Sequence, residues 1–138
     1  MSAASGKVPA HLWIMGALSL LWNAMGAVVY TLTMIRHPAV LQGADPAMVA
    51  AIKASPAWAN AAWGLGVGGA LAGSILLLCR RRLATVAFAL SFAGLVMVGS
   101  YELIAGMPVN LPQTAAIWLI ALFLLWYASF ASAIGLLR

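Results

Sequence analysis

Residues 57–82, AWANAAWGLGVGGALAGSILLLCRRR, are an apolar segment that ends in three consecutive arginines. No charged side chain occurs in residues 57–79, and a membrane-spanning helix needs about 20 apolar residues at about 1.5 Å each. An arginine at the bilayer centre costs about 2.5–3.5 kcal/mol on insertion scales, so a spanning helix has to end at the cluster. The segment therefore predicts a spanning helix over residues 57–79.

The arginine cluster also predicts the orientation of the chain in the membrane. Because Leu83 begins another apolar run, Arg80, Arg81 and Arg82 form a tight hairpin between two spans. Basic residues in short loops stay on the cytoplasmic side. We therefore interpret the three arginines as topology anchors.

Small residues recur along the same segment at a spacing of four. Gly64 and Gly68 belong to one row, and Gly69 and Gly73 form a second row one position further on. Such rows let two helix backbones approach closely, which matters in lipid because no hydrophobic force drives helices together there. The four glycines predict a helix-packing face, either against another helix of this chain or in a homo-oligomer. The GxxxG pattern alone does not separate these two readings.

Composition assigns the whole chain to the membrane. Of the 138 residues, 65% are hydrophobic and 7% are charged, whereas soluble domains carry about 25% charged residues. The net charge of +5 comes from residues at the predicted membrane edges, which argues against a nucleic-acid-binding face. The chain holds two acidic residues and no HExxH, Walker or GxSxG motif, so we expect no enzyme, no metal site and no cofactor.

We expect a single membrane domain over residues 1–138, folded as an all-α bundle with up-down-up-down topology. The prolines and glycine of residues 105–114 predict a loop before the last span. The four predicted spans are residues 11–35, 57–79, 83–103 and 115–137.

The longest connection, residues 36–55, carries a helix-start signal. Asp45 followed by Pro46 is a typical pair of cap and first-turn residues, and Met48, Val49 and Ile52 then share one helical face. We predict a short helix in this first periplasmic loop. It would lie in the membrane interface or cover the mouth of the bundle, and the sequence does not decide between these.

Basic residues are unequally divided by this topology, with five on one side and two on the other. The bias predicts a multi-pass protein of a bacterial inner membrane with both termini in the cytoplasm. The cytoplasmic group is Lys7, Arg80, Arg81, Arg82 and Arg138, and the periplasmic group is Arg36 and Lys53.

Four residues are candidate polar or ligand-contacting positions away from the charged termini of the spans. Asn23 lies about halfway along the first span, where an amide is expected to bond across helices or to contact a ligand. Trp22 and Trp126 fall near mid-depth, where their indole N–H groups need partners. Tyr30 falls near the outer boundary, in a predicted belt of interfacial aromatic residues.

Glu102 is the one acidic residue within a predicted span, close to its outer end. Carboxylates within a membrane are functional candidates by default. Arg36, His37 and Tyr30 are expected at the same level, so Glu102 would form a structural pair with one of them. The alternative is proton coupling.

Three stretches of the chain resemble a group of small, uncharacterised bacterial four-helix inner-membrane proteins, some generically labelled "sugar transporter". They are LLWNAMGAVVY at 20–30, PAWANAAWGLGVGGALAGSILLLCRRRLA at 56–84 and ALSFAG at 89–94. The resemblance covers roughly two-thirds of the chain and implies a four-helix membrane fold. It assigns no catalytic or binding residue.

Two functions are compatible with the sequence. The first is an accessory or scaffold subunit, or a self-associating membrane protein, that acts through helix packing. The alternative is an oligomeric small-solute transporter or channel with Asn23, Trp22, Trp126 and Glu102 near its path. The expected partners are membrane lipids and either further copies of the chain or a larger membrane complex.

Overall fold

The computed structural model describes residues 6–138, which form six α-helices. Helices α1, α4, α5 and α6 are each long and apolar enough to cross a membrane. The prediction of an all-α fold with four spanning helices is confirmed. The bounds are α1 Ala10–Met34, α2 Pro38–Leu41, α3 Pro46–Ala54, α4 Ala57–Leu78, α5 Leu83–Ile104 and α6 Leu111–Ala133.

The first three long helices coincide with the predicted spans to within one residue, but α6 begins and ends four residues earlier than predicted. Its start is set by Asn110, whose Oδ1 accepts a hydrogen bond from the backbone N–H of Gln113 at 3.2 Å. Pro112 fits the first turn because the N–H that it lacks has no partner there. The prediction of a loop through residue 114 was therefore wrong. At the other end, Gly135 takes a φ of 78°, which turns the chain away from the helix axis.

The connection between α1 and α4 contains two short helices. Asp45 Oδ1 accepts from the backbone N–H of Ala47 at 2.7 Å, and Pro46 fills the first position of α3. This is the short helix that the sequence indicates. Helix α2 is an addition, capped by His37 Nδ1, which accepts from the backbone N–H of Ala39 at 3.1 Å.

Helix α4 lies in the middle of the bundle, with α1 packed on one side and α5 on another, and α6 packs along α5. The closest approach is between α4 and α5. A Cβ added at Gly94 would lie 2.6 Å from the carbonyl oxygen of Ala62 and 2.7 Å from the backbone nitrogen of Gly66. The two backbones are therefore in direct contact, and this contact is what the absent side chain of Gly94 permits.

One end of the bundle, which we call the basic end, brings together the start of α1, the α4–α5 hairpin and residues 134–138. The fully buried core lies towards this end and contains residues from all four long helices. Its members are Leu12, Leu77, Ala84, Phe88, Leu124, Tyr127, Ala128, Ala131 and Leu137.

The arginine hairpin holds residues 134–138 across the basic end. The backbone N–H of Arg82 donates to the carbonyl of Arg138 at 3.0 Å, and the N–H of Arg138 donates to the carbonyl of Arg80 at 2.6 Å. The guanidinium groups add bonds from Arg80 Nε to the carbonyl of Leu136 at 3.0 Å and from Arg82 Nε to that of Leu137 at 3.3 Å. Besides being candidates for topology anchors, Arg80 and Arg82 therefore hold the C-terminal segment in place.

Candidate functional site

A cavity of about 310 Å³ lies between the four long helices, on the side of the buried core that faces away from the basic end. Most of its wall is apolar, and none of the side chains that line it is charged. Among the lining residues are Trp22, Asn23 and Gly26 of α1, Trp63 and Ala70 of α4, Phe88 and Ser91 of α5, and Gln113, Ile117 and Leu124 of α6.

The cavity is closed towards the basic end and open to one side. Phe88 and Leu124 belong both to the buried core and to the cavity wall, so the core forms the cavity floor. Trp22 of α1 and Ile117 of α6 line the cavity and are each more than a third exposed. Because α6 packs along α5 rather than along α1, these two residues border a lateral opening.

In residues 6–138, one polar contact joins helices α1 and α6 at the basic end. His11 Nδ1 and the hydroxyl of Tyr127 are 2.6 Å apart, with the two rings edge-to-face. Tyr127 belongs to the buried core, whereas His11 is exposed at the end of α1. This contact holds the two helices together at the basic end, on the opposite side of the buried core from the cavity.

Asn23 connects the cavity to helix α4. Its Nδ2 donates to the hydroxyl of Ser74 at 2.8 Å and to the carbonyl oxygen of Ala70 at 3.3 Å. The Ser74 hydroxyl in turn donates to the same Ala70 carbonyl at 2.9 Å. Asn23 therefore forms an inter-helix hydrogen bond and also lines the cavity, so both roles that the sequence leaves open are compatible with its position.

The remaining oxygen of the Asn23 amide is available to a ligand. Both bonds of this amide use Nδ2, and no residue within 6–138 donates to Oδ1. In the described residues, Thr85 Oγ1 is the one fully buried side-chain polar atom without a hydrogen-bond partner. Because Asn23 Oδ1 also has no partner, it is not fully buried. Oδ1 is thus an acceptor without a partner in the described residues, on a side chain that lines the cavity.

A double-mutant cycle will measure the bond between Asn23 and Ser74. We expect Asn23→Ala and Ser74→Ala to be non-additive by about 0.6 kcal/mol, the average for hydrogen bonds between membrane helices, and by no more than about 1.7 kcal/mol, the largest value found for such bonds. The measurement is the free energy of unfolding of the two single variants and the double variant in a detergent titration. Additive losses would mean that the two side chains do not interact.

Glu102 lies outside this cavity. It lines a smaller one of about 230 Å³ between α5 and α6, together with Ser100, Thr114 and Trp118. The expected structural pair does not form with Tyr30, whose hydroxyl donates to the Asn60 carbonyl at 3.2 Å. It does not form with Arg36 or His37 either, since no ion pair is found among residues 6–138 and His37 Nδ1 caps α2.

The other aromatic candidates are divided between the cavity and the outer surface. Trp22 lines the cavity. Tyr30 does not, and its ring meets Trp63 edge-to-face with centroids 5.0 Å apart. Trp126 is 58% exposed and stacks on Phe130 on the outside of α6, so the structure does not bring it to the site.

The four candidate packing glycines of α4 have different surroundings. An added Cβ would lie 2.9 Å from the Ala87 carbonyl oxygen at Gly69 and 2.9 Å from the Phe88 ring at Gly73, so both face α5. At Gly64 it would lie 2.7 Å from the Tyr30 hydroxyl oxygen of α1. At Gly68 it would meet nothing within 4 Å, because this residue points away from the bundle.

Several residues that line the site or form the helix contacts beside it are not identified from the sequence alone. Ser74 and Ser91 are small polar residues inside spans, the same signal that singles out Asn23, but serine can also bond to its own helix and so the signal is weak. Gln113 is assigned to a loop because Pro112 precedes it. Gly94 is an isolated glycine outside any small-residue row.

The side chains that line this site can form hydrogen bonds and apolar contacts. Amide, hydroxyl and ring groups line it, and in residues 6–138 no three His, Cys, Asp or Glu side chains are grouped so that they could hold a metal ion. The chain matches no protein-family model, no curated protein and no solved structure.

Proposed function

We propose that the protein is a non-catalytic membrane protein that binds a small, mostly apolar solute between its four long helices and gives it passage, as a transporter or channel does. The observation that carries this proposal is the cavity of about 310 Å³, to which all four helices contribute. Pockets of this size, apolar with a few polar groups, are typical of small-molecule sites. The lateral opening between α1 and α6 supports entry from the surrounding bilayer.

Filling the cavity will test this function. Gly26 lines the cavity, and a Cβ at this position meets nothing within 4 Å, so the Gly26→Leu side chain starts in open space. We expect Gly26→Leu to bind 2-fluoronaphthalene at least tenfold more weakly than the unaltered protein. The measurement is a ¹⁹F NMR titration in lipid nanodiscs, corrected for partition of the probe into empty nanodiscs.

Gly68→Leu is the matched control for this experiment. Gly68 has the same open surroundings, but it lies on the outer face of α4, away from the cavity. Binding in this variant should equal that of the unaltered protein. Equal binding by all three proteins, or by none, would contradict the proposed function.

A second candidate function is self-association or attachment to a larger membrane complex through the outer face of α4. The observation in its favour is that Gly68 and Ala72, one helical turn apart, are both exposed. Gly68→Leu should then reduce the oligomer mass in native mass spectrometry from mild detergent, while Gly26→Leu leaves it unchanged. An unchanged mass in Gly68→Leu would remove this face as the contact.

We also propose that the basic end faces the cytoplasm of a bacterial inner membrane. Lys7, Arg138 and the arginine hairpin lie at this end, against Arg36 and Lys53 at the other, and short basic loops remain cytoplasmic. A reporter that is active in the periplasm alone should be silent when fused after Arg138 and active when inserted after Gly43. The opposite pattern would reverse the orientation.

A further inference from the structure

We infer that the solute taken by the cavity is a neutral molecule of about two-ring size with a hydrogen-bond donor, such as an aromatic alcohol, whose donor group bonds to Asn23 Oδ1. This inference rests on the proposed function and adds the chemical class of the solute. It follows from the direction of the hydrogen bonds around the cavity, its lack of charge and its volume.

The two polar side chains deep in the cavity wall have already used their protons. Asn23 Nδ2 donates to Ser74 and to the Ala70 carbonyl. Ser91 Oγ donates to the carbonyl of Gly66. What both side chains still offer to the cavity is oxygen lone pairs. A solute that brings a donor can satisfy them. The Gln113 amide and the indole N–H groups of Trp22 and Trp63 belong to residues that also line the cavity. They are donors that the oxygen of a hydroxyl or of an ether can accept from equally, so the donor is what distinguishes the two kinds of solute.

The backbone fixes the orientation of the Asn23 amide. The Ala70 carbonyl is an acceptor without a proton, so the amide group that faces it has to be the NH₂. Turning the amide over would place Oδ1 against this carbonyl and break the bond. The oxygen therefore stays turned away from the Ala70 carbonyl of α4, on a residue that lines the cavity.

The absence of charged side chains from the cavity wall selects a neutral solute. An ion that enters an apolar site loses its hydration, and this loss is large unless a counter-charge replaces it. Glu102 lines a different cavity, and the arginine hairpin is separated from this one by the buried core. The described residues therefore offer no charged side chain that could balance the charge of an ion in this cavity.

The volume indicates the size of the solute. A dry protein cavity of about 150 Å³ binds benzene. The cavity here, about 310 Å³, has room for two fused rings. Trp22, Trp63 and Phe88 supply aromatic surface in its wall, against which such rings can pack edge-to-face or offset.

The inference is tested with fluoronaphthalenes that share a ring system and differ in one group. The probes are 6-fluoro-2-naphthol, which has a donor, 2-fluoro-6-methoxynaphthalene, which keeps the oxygen but lacks the donor, and the anion 6-fluoro-2-naphthoate. Dissociation constants are measured by ¹⁹F NMR at pH 7 in nanodiscs and corrected for partition. We expect the naphthol to bind about two- to tenfold more tightly than the methoxy compound, the effect of one hydrogen bond. The naphthoate should not bind.

Two variants locate the preference. In Asn23→Leu the naphthol and the methoxy compound should bind equally, because the variant lacks Oδ1, the acceptor that the inference assigns to the solute's donor. In Ser74→Ala the preference should remain, because Asn23 keeps its bond to Ala70 and Oδ1 is untouched. The comparison of probes on the unaltered protein stands even if Asn23→Leu fails to fold.

The outcomes separate the inference from the function on which it rests. If the naphthol and the methoxy compound bind the unaltered protein equally, or if the naphthoate binds as tightly as the naphthol, the solute class is wrong and the cavity function stands. If none of the probes binds, nor 2-fluoronaphthalene, the proposed function itself fails. A preference that survives Asn23→Leu would move the acceptor to another residue and overturn the assignment to Oδ1.

Discussion

Replacing Gly94 with alanine will separate α4 from α5 and lower the free energy of unfolding by about 3 kcal/mol or more, at the upper end of the cost of overpacking. The added Cβ would lie 2.6 Å from the Ala62 carbonyl oxygen and 2.7 Å from the Gly66 nitrogen. These are backbone atoms, which cannot move aside by a change of rotamer. The helices would have to shift relative to each other, and with them the cavity wall that both helices form. The measurement is a detergent unfolding titration.

Gly68→Ala is the control for this prediction. Both substitutions add one methyl group to a helical glycine, but the Cβ at Gly68 meets no atom within 4 Å. We expect Gly68→Ala to be neutral or to stabilise by up to about 1 kcal/mol, since alanine favours a helix more than glycine does. If Gly94→Ala were as stable as Gly68→Ala, the close contact between α4 and α5 would be wrong.

The second large effect is expected at Leu137, beyond the end of the last helix. This side chain is 1% exposed and belongs to the buried core, and the hydrogen bonds to the arginine hairpin hold its segment in place. Leu137→Ala should lower the free energy of unfolding by about 2–5 kcal/mol, the range for leucine truncation in a core. The same unfolding titration measures it.

Ile134→Ala, in the same segment, is the matched comparison. Ile134 is 52% exposed, so its truncation should cost far less. Equal losses in the two variants would show that residues 134–138 do not pack as the structure has them. A negligible loss in Leu137→Ala would mean that the basic end is not closed by this segment and that the core ends at α6.

The number and approximate position of the long helices follow from local properties of the chain. Residues 57–79 are apolar over a length sufficient to cross a bilayer, and the arginines that follow have to lie outside it. The same argument places the first and third spans. For the fourth span the predicted bounds are wrong by four residues. The sequence does not distinguish a proline in the first turn of a helix from a proline in a loop.

The glycine rows show a structural feature that short sequence patterns do not predict, namely which neighbour each glycine faces. Gly68 and Gly69 are adjacent, and each belongs to a row of small residues at a spacing of four. Gly68 nevertheless faces open space, whereas Gly69 faces the Ala87 carbonyl of α5. The difference depends on the rotation of α4 about its axis relative to its neighbours. Contacts between distant parts of the chain set this rotation, and no short pattern encodes it.

The amino-acid sequence is sufficient to assign the class of this protein: an all-α chain with four helices that can span a membrane and charges near their ends. The site depends instead on contacts between residues far apart in the chain. Asn23 bonds to Ser74, 51 positions away, Gly94 is in direct backbone contact with Gly66, and all four long helices line the cavity. The difference arises because a span is a property of consecutive apolar residues, whereas a cavity is a property of how separate helices leave space between them.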